Sequence, residues 1–215
     1  MALSLPNGAT VSLATAYGSD ITVTAATNAN PPVLTATGHT LVNGDIIEVK
    51  SGWNGANNKT FRVSAVAANT FSLEGLDASS TTLFPAGQGI GTVKKINTFT
   101  KLDQVTGFEP SGGDGKFVSV QLLESDSEIN LPAGFNAASI TITMADDPSL
   151  PGFAALKTAS DTKALRTLRL LLKNGGSIYY VGYLAFDETP STGAGAVMSV
   201  KATFAQQGRP VRYAS

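Results

Sequence analysis

The segment ALRTLRLLLKNGGSIYYVGYLAFDE, Ala164 to Glu188, constrains the fold more than any other stretch. Two strand-like runs flank Asn174-Gly175, a dipeptide suited to a tight hairpin turn. Leu168, Leu170 and Leu172 share one face of the first run, with Arg169, Leu171 and Lys173 on the other. On the second run Ile178, Tyr180, Leu184 and Phe186 face one way, and Tyr179, Val181, Tyr183 and Ala185 the other. A hairpin on the surface of a small domain is apolar on one face and polar on the other. This one is apolar on both, so its second face needs a cover: either a helix of the same chain or a neighbouring subunit. Tyr179, Val181 and Tyr183 are the candidate subunit-interface residues, because tyrosine suits contacts in which one end stays wet.

The rest of the chain reads as short strands. Thr10–Ala16 alternates and ends at a break, Tyr17-Gly18-Ser19-Asp20. Between Ile21 and Ile96 come six β-rich runs, ITVTA, VLTAT, DIIEV, TFRVSAV, TFSLEG and GTVKKI, separated by turn residues. Their spacing predicts a small barrel or sandwich. Thr98–Val105 follows, then a polar loop at Gly107–Lys116, a strand at Phe117–Leu123, a second loop around Ser125–Phe135 and a strand at Ser139–Met144. Asp146-Asp147-Pro148-Ser149 offers a helix start, and Leu150, Phe153, Ala154 and Leu156 continue at helical spacing to about Ser160-Asp161. A last strand, AVMSVKATF, leads to Gly208-Arg209-Pro210. The expected fold class is mainly β: a β-sandwich or partial barrel with one short α-helix, formed by residues 1–19 and 97–215. Residues 20–96 form an inserted small all-β barrel, whose first and last strands could pair and bring the host's two ends together.

Composition excludes several chemistries. The chain lacks cysteine and has one histidine, so thiolate zinc sites, cysteine nucleophiles and paired-imidazole sites are ruled out. Its net charge of −1 leaves no basic excess for holding nucleic acid tightly. No run approaches the ~20 apolar residues of a membrane span, and the opening MALSLPNGATVSL lacks the basic and apolar regions of a signal peptide. A soluble protein made in a cytoplasm is expected.

None of the motifs makes an active site. Gly87-Gln88-Gly89-Ile90-Gly91 precedes a strand where a phosphate loop would open a helix, and GGDGK, Gly112–Lys116, is followed by Phe117 where a magnesium-ligating hydroxyl is required. Asp146-Asp147, Asp187-Glu188 and the Asp126/Glu128 pair are carboxylates of the kind glycosidases use, with nothing to bring them together. His39 fits a hydrogen-bonded turn better than a base. Trp53, in SGWNGANN, suits the cap of the barrel's core, with an exposed sugar-stacking platform as the other option. No catalytic, metal-binding or cofactor-binding residue is assigned.

The stretch DDPSLPGFAALKTASDTKALRTLRLLLKNGGSIYYVGYLAF, followed by VMSVKATFAQQGRPVRY, resembles the tail tube proteins of long non-contractile-tailed, lambda-like bacteriophages. In that family a short helix, an Arg-containing strand, Asn-Gly, an aromatic-rich strand and a last strand closing on Gly-Arg-Pro recur in this order. GHTLVNGDIIEV with KTFRVSAVAANTFSLEG is similar to a small β-barrel module of phage structural proteins, itself like the first catalytic-cysteine half-domain of ubiquitin-activating enzymes. Without cysteine this likeness implies a fold and no ubiquitin chemistry.

The resemblance implies a non-enzymatic virion protein, made in the bacterial host cytoplasm. Its copies would form hexameric rings stacked into a tube that conducts DNA without binding it tightly. The partners implied are further copies and the tape-measure, terminator and tail-tip proteins, with no membrane anchoring and no cofactor. It assigns the inter-ring contact to the Gly107–Lys116 loop, with Phe108 as apolar anchor and Glu109, Asp114 and Lys116 beside it. The inserted barrel would decorate the outside. A carbohydrate-binding or adhesin-like β-module is the alternative, motivated by Trp53 and the tyrosines.

Overall fold

The computed structural model describes residues 8–214; the first seven residues of the expected host segment and Ser215 lie outside the described residues. In order, the strands are β1 (Thr10–Val23), β2 (Ala25–Ala26), β3 (Val33–Thr35), β4 (Ile46–Ser51), β5 (Lys59–Ser64), β6 (Thr70–Glu74), β7 (Gly91–Leu102), β8 (Val105–Gly112), β9 (Gly115–Gln121), β10 (Glu128–Phe135) and β11 (Ala138–Ala145). Helix α1 (Pro151–Thr162) precedes β12 (Arg166–Leu171), β13 (Ser177–Ser191), β14 (Ser199–Gln206) and β15 (Val211–Tyr213). The fold is mainly β. Thirteen strands form one sheet, in the order β2-β3-β6-β5-β4-β7-β1-β12-β13-β14-β11-β8, with β15 beside β13.

Two apolar clusters lie along this sheet. The first is drawn from Val23 to Val93, with Trp53, Phe61, Phe71 and Leu73 among its buried members. Its strands close on themselves because β2 follows β1 after one residue while β7 pairs with both β1 and β4. The six runs read between Ile21 and Ile96 supply these strands, and the first and last of them pair, Ile21 opposite Val93. The expected break at Tyr17–Asp20 is absent. β1 runs through it, with register irregularities between Ala14 and Asp20 that bend the strand without ending it.

The second cluster joins Val11, Leu13 and Leu102 to Ile140, Ile142, Met144, Leu168, Leu184 and Phe204. Helix α1 seals it with Phe153, Leu156 and Ala159, and the Phe153 ring stands edge-on to Phe186 at 4.9 Å. The helix starts later than the acidic run suggested. Asp147 instead closes a turn on Ser149, Leu150 is the N-cap without a side-chain bond, and Pro151 opens the helix, where its missing N–H costs nothing. Sheet strands approach closely at Gly182, where a Cβ would lie 2.2 Å from the Ala205 carbonyl oxygen.

The opening hairpin forms in the expected register, Leu168 opposite Tyr180 and Leu170 opposite Ile178. Its leucine face belongs to the second cluster. On its other face the Tyr179–Val181 part is covered by the small barrel. Tyr179 and Val181 are each 5% exposed, and β5 lies against β13 and β15. Thr60 of β5 meets Thr167 at 2.7 Å between hydroxyl oxygens. Tyr213 ties the same joint: its hydroxyl accepts the Arg62 N–H at 2.7 Å and donates to the Glu74 carbonyl at 2.9 Å. The Arg62 guanidinium lies 4.5 Å over the Tyr213 ring and pairs with Glu74.

Candidate assembly surface

Gly107–Lys116 is not a loop. Val105–Gly112 is a strand, paired with β11 from Met144 to Ala138. Its Pro110 is tolerated because β8 is an edge strand with no neighbour beyond it. Phe108 is therefore half-buried against the second cluster, 6.0 Å from the Tyr180 ring, and is no free anchor. Glu109 is exposed on the same strand, Asp114 sits between β8 and β9, and Lys116 is the second residue of β9. The second expected loop is also largely a strand, β10.

β9 and β10 pair only with each other and form a ribbon, here called the arm. Gly112 and Gly113 at its root take φ of +77° and +81°, and a Cβ on Gly112 would lie 2.2 Å from the Ala137 carbonyl oxygen. The register sets Val118 opposite Leu131 and Val120 opposite Ile129. Directly opposed residues share a face, so these four form one apolar side. The reverse side carries Ser119, Gln121, Glu128 and Asn130, with a Ser119–Asn130 hydrogen bond of 2.7 Å, together with Phe117 and Pro132. Every residue of both strands is exposed, and Leu131 keeps 51% of its surface in solvent. An amphipathic ribbon with its dry side in water is an unfinished contact.

At the arm's root the Arg209 guanidinium lies 4.1 Å over the Phe135 ring, and the Gln206 side chain donates to the Gly208 carbonyl at 2.6 Å. A groove here is lined by Pro110, Asn136, Tyr180 and Pro210. Of the three hairpin residues assigned to a subunit interface, only Tyr183 reaches the surface, at 46% exposure. With Ala185, Thr203 and Ala205 it lies on an open face of small side chains.

The remaining motifs carry structure. Trp53 is 1% exposed, donates its indole N–H to Pro85 O at 2.8 Å and meets Phe84 edge-on, so it caps the barrel core and offers no sugar platform. His39 packs edge-on against Phe71 at 5.3 Å and makes no hydrogen bond within a turn. Gly91 opens β7, where a Cβ would meet the Lys50 carbonyl oxygen at 2.0 Å, so the glycine run serves strand packing. Hydrogen bonds from Ser149 hold the Asp147 carboxyl below its ordinary range, and those from Thr189 do the same for Asp187. Glu188 pairs with Lys157. Asp147 and Asp187 are thus held as carboxylates at the surface, unsuited to donating a proton. Among the described residues no helix is long and apolar enough to cross a membrane.

Comparison with known proteins places the chain in a family. The sequence model described as "Phage tail tube protein, TTP" matches residues 51–215, beginning inside the small barrel. No curated protein matches the chain. A solved structure described as "Tail of empty GTA particle computed with helical refinement, C6 symmetry" is similar over 54% of this chain and 87% of its own, with 15% identity and a TM-score of 0.42. The family match spans well over half the sequence, and its role is structural: the chain is a member of the phage tail tube protein family.

Proposed function

We propose that the chain is the repeating subunit of a phage tail tube of the long non-contractile, lambda-like kind. Six copies close a ring, and stacked rings form the conduit through which DNA leaves the particle. The observation that carries this reading is the arm: four apolar side chains aligned on one side of a ribbon, with nothing among the described residues to cover them. Each still has on the order of 1 kcal/mol of burial to gain, assuming about half of a fully buried side chain's share. A partner that covers all four at once gains several kcal/mol before entropy costs.

In this reading the inter-ring contact continues from Glu109 through Asp114 and Lys116 into the arm, while Phe108 fixes the base of β8. Contacts within a ring use the open face around Tyr183, since Tyr179 and Val181 are occupied by the small barrel. Residues 20–96 act as one unit, related in fold alone to the ubiquitin-activating half-domain, and sit outside the tube, where they cannot obstruct passage. A near-neutral chain suits a conduit, because phosphates must slide past without being held. Tape-measure, terminator and tail-tip proteins are the expected neighbours in the virion, and the subunit is made in the host cytoplasm.

Native mass spectrometry of the purified full-length chain tests the ring. The expected species are six-chain assemblies and their multiples. A distribution of monomers and dimers alone would overturn the hexameric reading.

A further inference from the structure

Resting on that stacking reading, we infer that the arm's dry side and the Gly208–Pro210 turn form one half of a head-to-tail contact. The other half is the opposite end of the same sheet in a second copy, built from Val197, Met198 and the carboxylates of Asp146, Asp147 and Asp187. Rings that stack in one direction join unlike ends, so the two halves must sit at opposite ends of each chain.

The register places them there. Gly112, Ala138 and Gln206 lie level at one end of β8, β11 and β14. The arm leaves and returns at this end, and Gly208–Pro210 follows from it. Ala145 and Ser199 are level at the other end. Asp146 directly follows Ala145, Met198 directly precedes Ser199, and the Asp146 N–H donates to the Met198 carbonyl at 2.9 Å. Asp187, opposite Lys201, lies toward the same end on β13. Eight-residue strands separate the two ends by about 24 Å.

Both ends carry unused groups of matching kind. Val197 is 75% and Met198 46% exposed, an apolar tip left uncovered by the described residues. Around it, Asp146, Asp147 and Asp187 form no ion pair among the described residues, whereas Glu188 and Asp103 are neutralised by Lys157 and Lys101. At the root of the arm, Arg209, Lys59 and Lys116 also lack an ion-pair partner among the described residues. Lys59 and Arg209 are close enough for mutual repulsion to help burial lower the Lys59 ammonium below its ordinary range. Asp114 beside Lys116 and Lys201 opposite Asp187 offset part of each charge, leaving three cations against one carboxylate at the root and three carboxylates against one cation at the far end. These opposite excesses are complementary between copies. The distal turn of the arm is itself acidic, with Glu124, Asp126 and Glu128, so the electrostatic match lies at the root and the apolar match along the ribbon. The contact also gives the Gly-Arg-Pro turn a role, because that turn sets the Arg209 charge over Phe135 at the arm's root.

A charge swap in the full-length chain tests the contact, read by sedimentation and by tube length in negative-stain images at low salt. R209E with K116E, and separately D146K with D187K, should each raise the concentration needed for stacking about tenfold or more. The chain carrying all four changes should recover to within about threefold of wild type. None of these side chains belongs to either buried cluster, so melting temperatures should barely move. Single-end variants that stack like wild type, or a four-change variant no better than the worse parent, would overturn this contact and leave the tube reading intact. A wild-type chain that never stacks would overturn both. A further variant, V197S with M198S, should weaken stacking at all salt concentrations, and unchanged stacking there counts against the apolar half.

Discussion

The side-chain hydroxyls of Thr60 and Thr167 meet at 2.7 Å in a site sealed from solvent, 107 residues apart in the chain. This pair joins the small barrel to the hairpin sheet. Replacing either threonine by valine leaves one buried hydroxyl without its partner and should cost about 1–2 kcal/mol. The double valine variant should recover most of that loss, because both polar groups are then gone. Denaturant melts of the three variants check this.

Tyr213 makes the joint sensitive to alkali. Burial, opposed by the Arg62 N–H bond, pushes its phenol up to about 12. A pKa raised in the fold favours the protonated form, so the stabilisation is complete below the ordinary tyrosine value near 10 and fades as pH rises toward 12. Loss on the order of 2 kcal/mol is expected across that window. Tyr213→Phe should be less stable at neutral pH by about 1–2 kcal/mol, through two lost hydrogen bonds, and its stability should fall less steeply above pH 10. Unfolding curves at a series of pH values measure both.

Glu48 works against the fold at neutral pH. It is 7% exposed, and burial raises its carboxyl above the ordinary range despite Lys50, Lys94 and Arg166 nearby. A raised carboxyl stabilises the fold only where it is protonated, and that contribution disappears as pH climbs through its folded value. Glu48→Gln should therefore be more stable than wild type at pH 7 and little different from it below about pH 4, the ordinary glutamate value. Calorimetry at the two pH values distinguishes this from a uniform effect.

The sequence exposed the parts of the fold that rest on local alternation. The six barrel runs, the Asn174-Gly175 hairpin, β14 and one helix could all be read because turn residues bound them, whereas β15, after Gly208-Arg209-Pro210, was missed. Proline and glycine hid two strands. Pro110 in β8 and Pro132 with Gly134 in β10 look like loop residues, yet one lies on an edge and the others flank a register shift of the arm. The regular Ile129 and Leu131 spacing was the available signal for the arm. What covers Tyr179 was not legible at all, since it depends on a barrel strand folding back over residues more than a hundred positions away. Sequence alternation records that a face is dry and does not say which element dries it.

Removing the arm separates folding from assembly. A chain in which a short glycine turn replaces residues 114–136 loses no member of either buried cluster. Its melting temperature should stay within about 2–3 °C of wild type, while stacking disappears. A variant that still forms long tubes would assign the inter-ring contact elsewhere.

The central claim is that the arm's apolar side is finished by another copy of this chain. A three-dimensional electron-microscopy reconstruction of the assembled full-length protein tests it directly. The account predicts a hollow sixfold tube in which Val118, Val120, Ile129 and Leu131 are covered by an adjacent subunit. A chain that stays monomeric at high concentration, or a tube whose arms stand free in solvent, would contradict it.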